Sequence, residues 1–120
     1  MADRPTAEWR AYIAEYPDGA DLFPEPLLTR TDDVLAAFEA EVAELAAPSD
    51  DDVFAVIERV VLELNAVNLE YDEAAYETEE REQLCAYIEE TLTEAGVDVD
   101  ALAARRGLTR HEITDEWREW

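Results

Sequence analysis

A long apolar pattern with helical period constrains the fold of this chain most. Six apolar or aromatic residues alternate steps of four and three along the middle of the sequence: Val53, Ile57, Val60, Leu64, Val67 and Tyr71. Because an α-helix has about 3.6 residues per turn, this spacing places all six on one helix face. Val56, Leu62 and Leu69 fall on other sides of the same helix. The sequence therefore predicts a central helix that its neighbours cover on more than one face.

Shorter patterns of the same period, with helix start and stop residues between them, predict the remaining elements. Thr6, Thr31, Ser49, Thr78 and Thr109 can each cap a helix start. Gly96 can end a helix in a Schellman motif, with Val97 returning onto Leu92. A loop with three prolines, over residues 17–26, has Leu22, Phe23, Leu27 and Leu28 as apolar anchors. We expect one all-α domain over residues 1–120, a compact bundle of five to six helices at about 6–16, 32–46, 50–72, 78–95, 99–106 and 110–119.

Charge sets limits on the partners of this domain. The chain has 32 Asp and Glu against 9 basic residues, all of them Arg, and its net charge is −23. Nucleic-acid binders that neutralise phosphates need a basic surface, and an anionic membrane surface would repel this chain. We therefore expect no direct nucleic-acid or membrane partner. The charge itself has two explanations, a solvated surface adapted to salt or solubility, and a docking face for a basic partner.

Catalytic chemistry finds little support in the residue types present. Cys85 stands beside an apolar stripe, where an inert core thiol is expected, and His111 stands roughly opposite the apolar face of its predicted helix. One Cys and one His do not favour a nucleophilic dyad or a zinc or di-iron site. Asp50, Asp51 and Asp52 suit the N-terminus of a helix better than a calcium loop, because no central Gly follows them. We expect no enzyme activity, no metal and no cofactor.

One segment resembles a DNA-reading motif. Residues 102–113 have the alanines, turn Gly and following apolar residues of a bacterial helix–turn–helix. Its second helix would carry Glu112, Asp115, Glu116 and Glu119 against Arg110 and Arg118. Since these carboxylates would face phosphates, we interpret the segment as a helical hairpin with the same turn geometry.

Two asparagines stand on the long central helix. Asn68 falls on its apolar stripe and Asn65 lies one turn before it. A buried amide needs hydrogen-bond partners. The favoured interpretation is a bond to the loop after residue 72 or to a neighbouring helix, and a polar contact to a partner is the alternative.

The strongest candidate for a partner-binding surface is the predicted junction between the third and fourth helices. Residues 31–96 contain twenty Asp and Glu but only two Arg, a net charge of −18. At the junction, tyrosines alternate with carboxylates, which can supply contact area, steering and pairing with Arg or Lys. The candidate residues are Glu70, Tyr71, Asp72, Glu73, Tyr76, Glu77, Glu79 and Glu80.

The same region carries a resemblance. Residues 61–68, followed by 76–84 and by Tyr87 and Ile88, resemble small acidic helical proteins of actinobacteria. The stretch Glu77-Thr78-Glu79-Glu80-Arg81-Glu82-Gln83-Leu84 is similar to segments of immunity proteins that neutralise polymorphic toxins. The resemblance covers about 30 residues and implies an inhibitor that covers a toxin's active site with carboxylates.

These observations favour a non-catalytic acidic binding protein, in particular a stoichiometric inhibitor of the immunity or antitoxin type. Its expected partner is a basic protein, such as a nuclease toxin. The alternatives are a DNA mimic that occupies a DNA-binding protein, and a structural or housekeeping domain whose acidity reflects salt adaptation or solubility. The single Cys85 and the polar N-terminus favour a cytoplasmic location, and the all-Arg, Ala-rich, acidic composition suggests a bacterium with a high-GC genome.

Overall fold

A computed structural model describes residues 3–17, 24–73 and 75–120, and this part of the chain is all-α. No strand occurs in it. Five α-helices follow one another and a short 3₁₀ helix comes last. Their bounds are Pro5–Glu15 (α1), Glu25–Ala43 (α2), Asp50–Glu70 (α3), Thr78–Glu94 (α4), Val99–Arg105 (α5) and Arg110–Glu112 (the 3₁₀ helix).

The core lies between α3 and the elements packed around it. On α3, Ile57, Leu64 and Val67 are completely buried, as the apolar stripe predicted. α2 is the main neighbour of α3. The other helices contribute side chains to the same cluster, including Trp9, Phe38, Leu84, Ile88 and Leu102. The predicted all-α bundle is confirmed.

Two predicted helix ends are confirmed by their hydrogen bonds. Ser49 and Asp52 form a reciprocal capping box at the start of α3, with both bonds 3.1 Å long. At the end of α4, Gly96 has a φ of +93° and the Val97 N–H donates to the Leu92 carbonyl at 3.0 Å. This is the 6→1 bond of a Schellman motif, which needs a left-handed residue such as Gly at its centre.

The start of α2 differs from the prediction. The helix begins at Glu25 rather than near residue 32, and Pro26 lies in its first turn. Thr31 is a buried residue inside the helix and not its cap. Proline is compatible with the first turn because the N–H that it lacks has no partner there in any case. Of the predicted loop, residues 18–23 lie outside the described part, including the expected anchors Leu22 and Phe23.

The C-terminal segment is not the α-helix predicted at 110–119. Thr109 and Glu112 form the expected capping box, but only a 3₁₀ helix and turns follow. Ile113 and Trp120 are nevertheless buried in the core. The segment is too short to be a stable helix by itself, and α3 binds its backbone directly. The predicted hairpin of residues 102–113 therefore has no second α-helix.

Candidate functional site

The predicted binding surface lies where α3 ends and α4 begins. Asp72 and Glu73 follow α3 in left-handed conformations, with φ of +57° and +63°. The Glu73 N–H donates to the backbone carbonyl of Asn68 at 2.9 Å, and the Ala75 N–H donates to the Asn68 side-chain oxygen at 3.0 Å. Asn68 therefore holds the turn, which agrees with the interpretation favoured for this asparagine. Two non-glycine residues in this strained region need such fixation.

The carboxylates of this junction face solvent. Glu70, Asp72, Glu73, Glu77 and Glu79 are exposed, and Glu80 is half-buried. Glu77 stands at the N-cap of α4 without a capping bond from its side chain. The predicted cap, Thr78, instead accepts a hydrogen bond from the Arg81 guanidinium at 2.9 Å.

The tyrosines do not share this exposure. Tyr76 is 5% exposed and its hydroxyl lies 2.8 Å from that of Thr31. Its ring centroid is 6.1 Å from that of Trp9 and 5.9 Å from that of Trp120. Burial raises the pKa of the Tyr76 phenol to about 12. The prediction that Tyr76 contacts a partner is therefore wrong, because it is a core residue, and Tyr71 is half-buried against the same core.

Most of the ion pairs between arginines and carboxylates lie away from the junction. Eight of the nine arginines contact carboxylates, and seven of these do so away from the junction. At the junction, Arg30 pairs with Glu70 at 3.2 Å. Within residues 3–17, 24–73 and 75–120, no ion pair involves the remaining junction carboxylates, Asp72, Glu73, Glu77, Glu79 and Glu80. We call these five the junction carboxylates from here on.

A second polar cluster joins the start of α1 to α2 and α4 and was not predicted. Arg4 donates to both carboxylate oxygens of Glu39 at 2.9 Å, and the Tyr87 hydroxyl donates to the same carboxylate. The bond from Arg4 lowers the pKa of Glu39. Burial raises the pKa of Tyr87, and the bond to Glu39 adds to this shift. A groove of about 530 Å³ opens beside Glu39 and Tyr87. These side chains satisfy one another, so the cluster fastens helices together.

Cys85 has more polar surroundings than an inert core thiol. Arg118 donates to its sulfur at 3.1 Å, and the Thr114 hydroxyl lies 3.7 Å from that sulfur. Glu89, one turn further along α4, is buried and accepts from Arg110 at 2.8 Å. The His111 Nδ1 lies 3.4 Å from Glu89. The His111 imidazole thus faces the Glu89 carboxylate, whereas the Cys85 thiol contacts Arg118 and Thr114.

Two kinds of feature are not found in the described part of the chain. No group of three or more His, Cys, Asp or Glu side chains there is placed to hold a metal ion. No helix there combines the length and the apolar character that crossing a bilayer requires.

Comparisons with known proteins give no relative from which a role could be carried over. No family model, no curated protein and no solved structure matches the chain. Functional inference therefore depends on the residues and their geometry.

Proposed function

We propose that this protein is a non-catalytic binding protein and that it inhibits a basic partner protein in a one-to-one complex, as immunity proteins and antitoxins do. A nuclease toxin is a fitting partner, because a groove that binds nucleic acid has to be positively charged. The bacterial cytoplasm is the proposed location, and no direct contact with nucleic acid or membrane is proposed.

The junction carboxylates carry this proposal. They stand on one turn and at the start of the following helix. Arg30 pairs with Glu70 and Arg81 donates to the Thr78 hydroxyl, while the other described arginines contact carboxylates elsewhere. Like charges at close quarters destabilise a folded chain by mutual repulsion. A basic partner would remove that repulsion and would supply the missing counter-charges.

The mechanism we propose has two steps. The negative field of residues 31–96 first accelerates encounter with a basic protein, as electrostatic steering does. The junction carboxylates then accept hydrogen bonds from the partner's Arg and Lys side chains, and Arg can bind a carboxylate through two bonds at once. The bonds that Asn68 accepts from the N–H groups of Glu73 and Ala75 hold the turn that carries Asp72 and Glu73 before the partner arrives.

A charge-reversal experiment tests the proposal. The junction variant carries Glu77→Lys, Glu79→Lys and Glu80→Lys. The control variant carries Glu15→Lys, Glu44→Lys and Glu90→Lys, which are exposed carboxylates in other parts of the fold. Both triples change the net charge equally. We expect the wild-type protein and the control variant to capture the same basic protein from a lysate of the source organism. The junction variant should not capture it.

The activity of the captured protein then distinguishes between the proposed functions. A basic enzyme whose activity falls to zero at an equimolar ratio supports the inhibitor. A DNA-binding protein without enzyme activity would indicate the DNA mimic instead. Equal capture by both variants would show that the junction carboxylates are not the docking face, and capture of no basic protein would contradict the proposal as a whole.

A further inference from the structure

α3 carries an exposed apolar stripe on the side away from the core. Leu62 is 47% exposed and Leu69 is 59% exposed. Ala66, which is also exposed, lies between them in sequence. The spacing of four and then three residues places the three side chains in one line along the helix. The sequence pattern predicted that neighbours would cover this side as well, and that prediction is wrong for Leu62 and Leu69. We call these three residues the leucine stripe.

Polar contacts run along both sides of the leucine stripe without covering it. On the side of α2, Arg59 pairs with Glu41 at 2.8 Å and Arg30 pairs with Glu70 at 3.2 Å. On the other side, Asn65 binds the C-terminal segment through the Glu119 N–H at 2.9 Å.

The borders of the stripe are acidic. Glu63 follows Leu62 on α3, and Glu119 lies in the segment that Asn65 holds. Both carboxylates are exposed and form no ion pair within the described residues, whereas Glu70 is paired with Arg30. At its C-terminal end, the Leu69 carbonyl accepts a hydrogen bond from the Asp72 N–H at 3.2 Å, so the stripe ends beside the first of the junction carboxylates.

We propose that the leucine stripe is the apolar centre of the binding surface, and that its occupant is a basic protein segment with apolar side chains between Arg or Lys residues. An amphipathic basic helix has this chemistry. The inference rests on the proposed function and names the part of the surface that gives affinity. Binding surfaces commonly have a central apolar anchor inside a polar rim, and the rim charges set the rate and the specificity of association.

Charge selects this occupant over a second copy of the chain. A symmetric dimer through the leucine stripe would bring together the acidic borders of two chains that each carry −23. Like charges placed against each other oppose association. A basic segment meets the same borders with attraction, and its apolar residues remove the leucines from water.

The test uses two synthetic peptides of 18 residues as probes. One is an amphipathic helix of Leu and Arg, and the other has every Leu replaced by Ser at the same charge. The protein variant is Leu62→Gln with Leu69→Gln, because Gln has good helix propensity and both sites are exposed. The matched control is Tyr12→Gln with Tyr16→Gln, since these side chains on and after α1 are 44% and 53% exposed. Affinities are measured by fluorescence anisotropy at fixed salt.

We expect the Leu/Arg peptide to bind the wild-type protein and the tyrosine control within twofold of each other. The leucine variant should bind it at least tenfold more weakly. The Ser/Arg peptide should bind all three proteins alike, because only charge attracts it. A second variant, Leu62→Ala with Leu69→Ala, should give the same loss and replaces the Gln variant if circular dichroism shows that the latter has lost its helices.

Three results would overturn the inference. Equal affinity of the leucine variant and the wild type would show that the stripe is not part of the contact, and the proposed function would stand if the Glu77, Glu79 and Glu80 reversal still weakened binding. A wild-type dimer in sedimentation that the leucine variant abolishes would make a second copy the occupant. If neither peptide bound the wild-type protein, the inference and the proposed function would both fail.

Discussion

Replacing Asn65 by Ala removes a side chain of α3 that holds the C-terminal segment through both its donor and its acceptor atoms. The amide nitrogen donates to the Trp117 carbonyl at 2.7 Å, and the amide oxygen accepts from the Glu119 N–H at 2.9 Å. Asn65 itself is 6% exposed. A buried polar group that loses its partner costs about 1–3 kcal/mol. Water can reach both backbone groups in part, so we expect a loss of about 2–4 kcal/mol in the free energy of unfolding.

Urea denaturation followed by circular dichroism and by tryptophan fluorescence measures this loss. Fluorescence should change before urea is added, because Trp117 and Trp120 lie in the released segment. Glu63→Ala, at an exposed site on the same helix, serves as the control and should change stability by less than about 0.5 kcal/mol. A loss below that value for Asn65→Ala would refute the reasoning, since the segment would then be held by its apolar contacts alone.

Four further outcomes follow from the core and the charges. Leu64→Ala, at a completely buried site on α3, should cost about 2–5 kcal/mol in a denaturant melt. Added NaCl up to about 1 M, where the Debye length is about 3 Å, should raise Tm by screening repulsion, and an unchanged or lower Tm would contradict this. The bond from Arg4 lowers the pKa of Glu39, so the pair stabilises the fold above the ordinary carboxyl pKa of 4.5 and this contribution is lost as pH falls through the lowered value. Glu39→Gln should therefore flatten the fall in unfolding free energy at acid pH. Burial raises the pKa of Tyr76 to about 12 and also raises the pKa of Tyr87, so absorbance at 295 nm should show late phenol titration in the folded protein, and Tyr76→Phe should lose the step near pH 12.

The part of the fold that the sequence predicted depends on local signals. The stripe on α3, the Ser49 capping box and the Gly96 ending each depend on residues within one or two helical turns of one another. Such signals can be read from a single chain because the helix period and its end bonds are set by the backbone. All three are confirmed.

The wrong predictions of helix bounds come from local sequence signals that are compatible with two structures. Pro24 and Pro26 mark a loop when they are read as helix breakers, yet the structure has them at the start of α2. Thr109 and Glu112 form a capping box, but a capping box starts a helix without ensuring that it continues. Asn65 lies more than fifty residues from its partners at Trp117 and Glu119, so no local pattern shows that the backbone there is bound from outside.

In the candidate site too, features set by neighbouring residues were predictable from the sequence, and features set by distant residues were not. The exposure of Asp72, Glu73 and Glu77 agrees with their place between two helices. The burial of Tyr76 depends on Thr31, Trp9 and Trp120, which are 44 to 67 residues away. The Arg4–Glu39–Tyr87 cluster joins three helices and has no sequence signature, because its members share no spacing.

The placement of the arginines bears on the two explanations of the charge. Arg4 and Arg10 join α1 to carboxylates of α2, and Arg105 and Arg106 contact Asp50 and Asp51 at the start of α3. These cations are therefore committed to contacts between elements.

Acidity that serves solubility alone needs only a net charge, and any distribution over the surface would do. A docking face needs its uncompensated carboxylates next to an apolar centre, which is the relation that we propose for the junction carboxylates and Leu69. The two explanations therefore separate experimentally. Repulsion over the whole surface governs how Tm depends on salt, whereas the local arrangement governs how far the association rate of each lysine triple falls below that of the wild type. Whatever the salt dependence of its Tm, a protein whose association slows more for the Glu77, Glu79 and Glu80 triple than for its control would have these carboxylates arranged for binding.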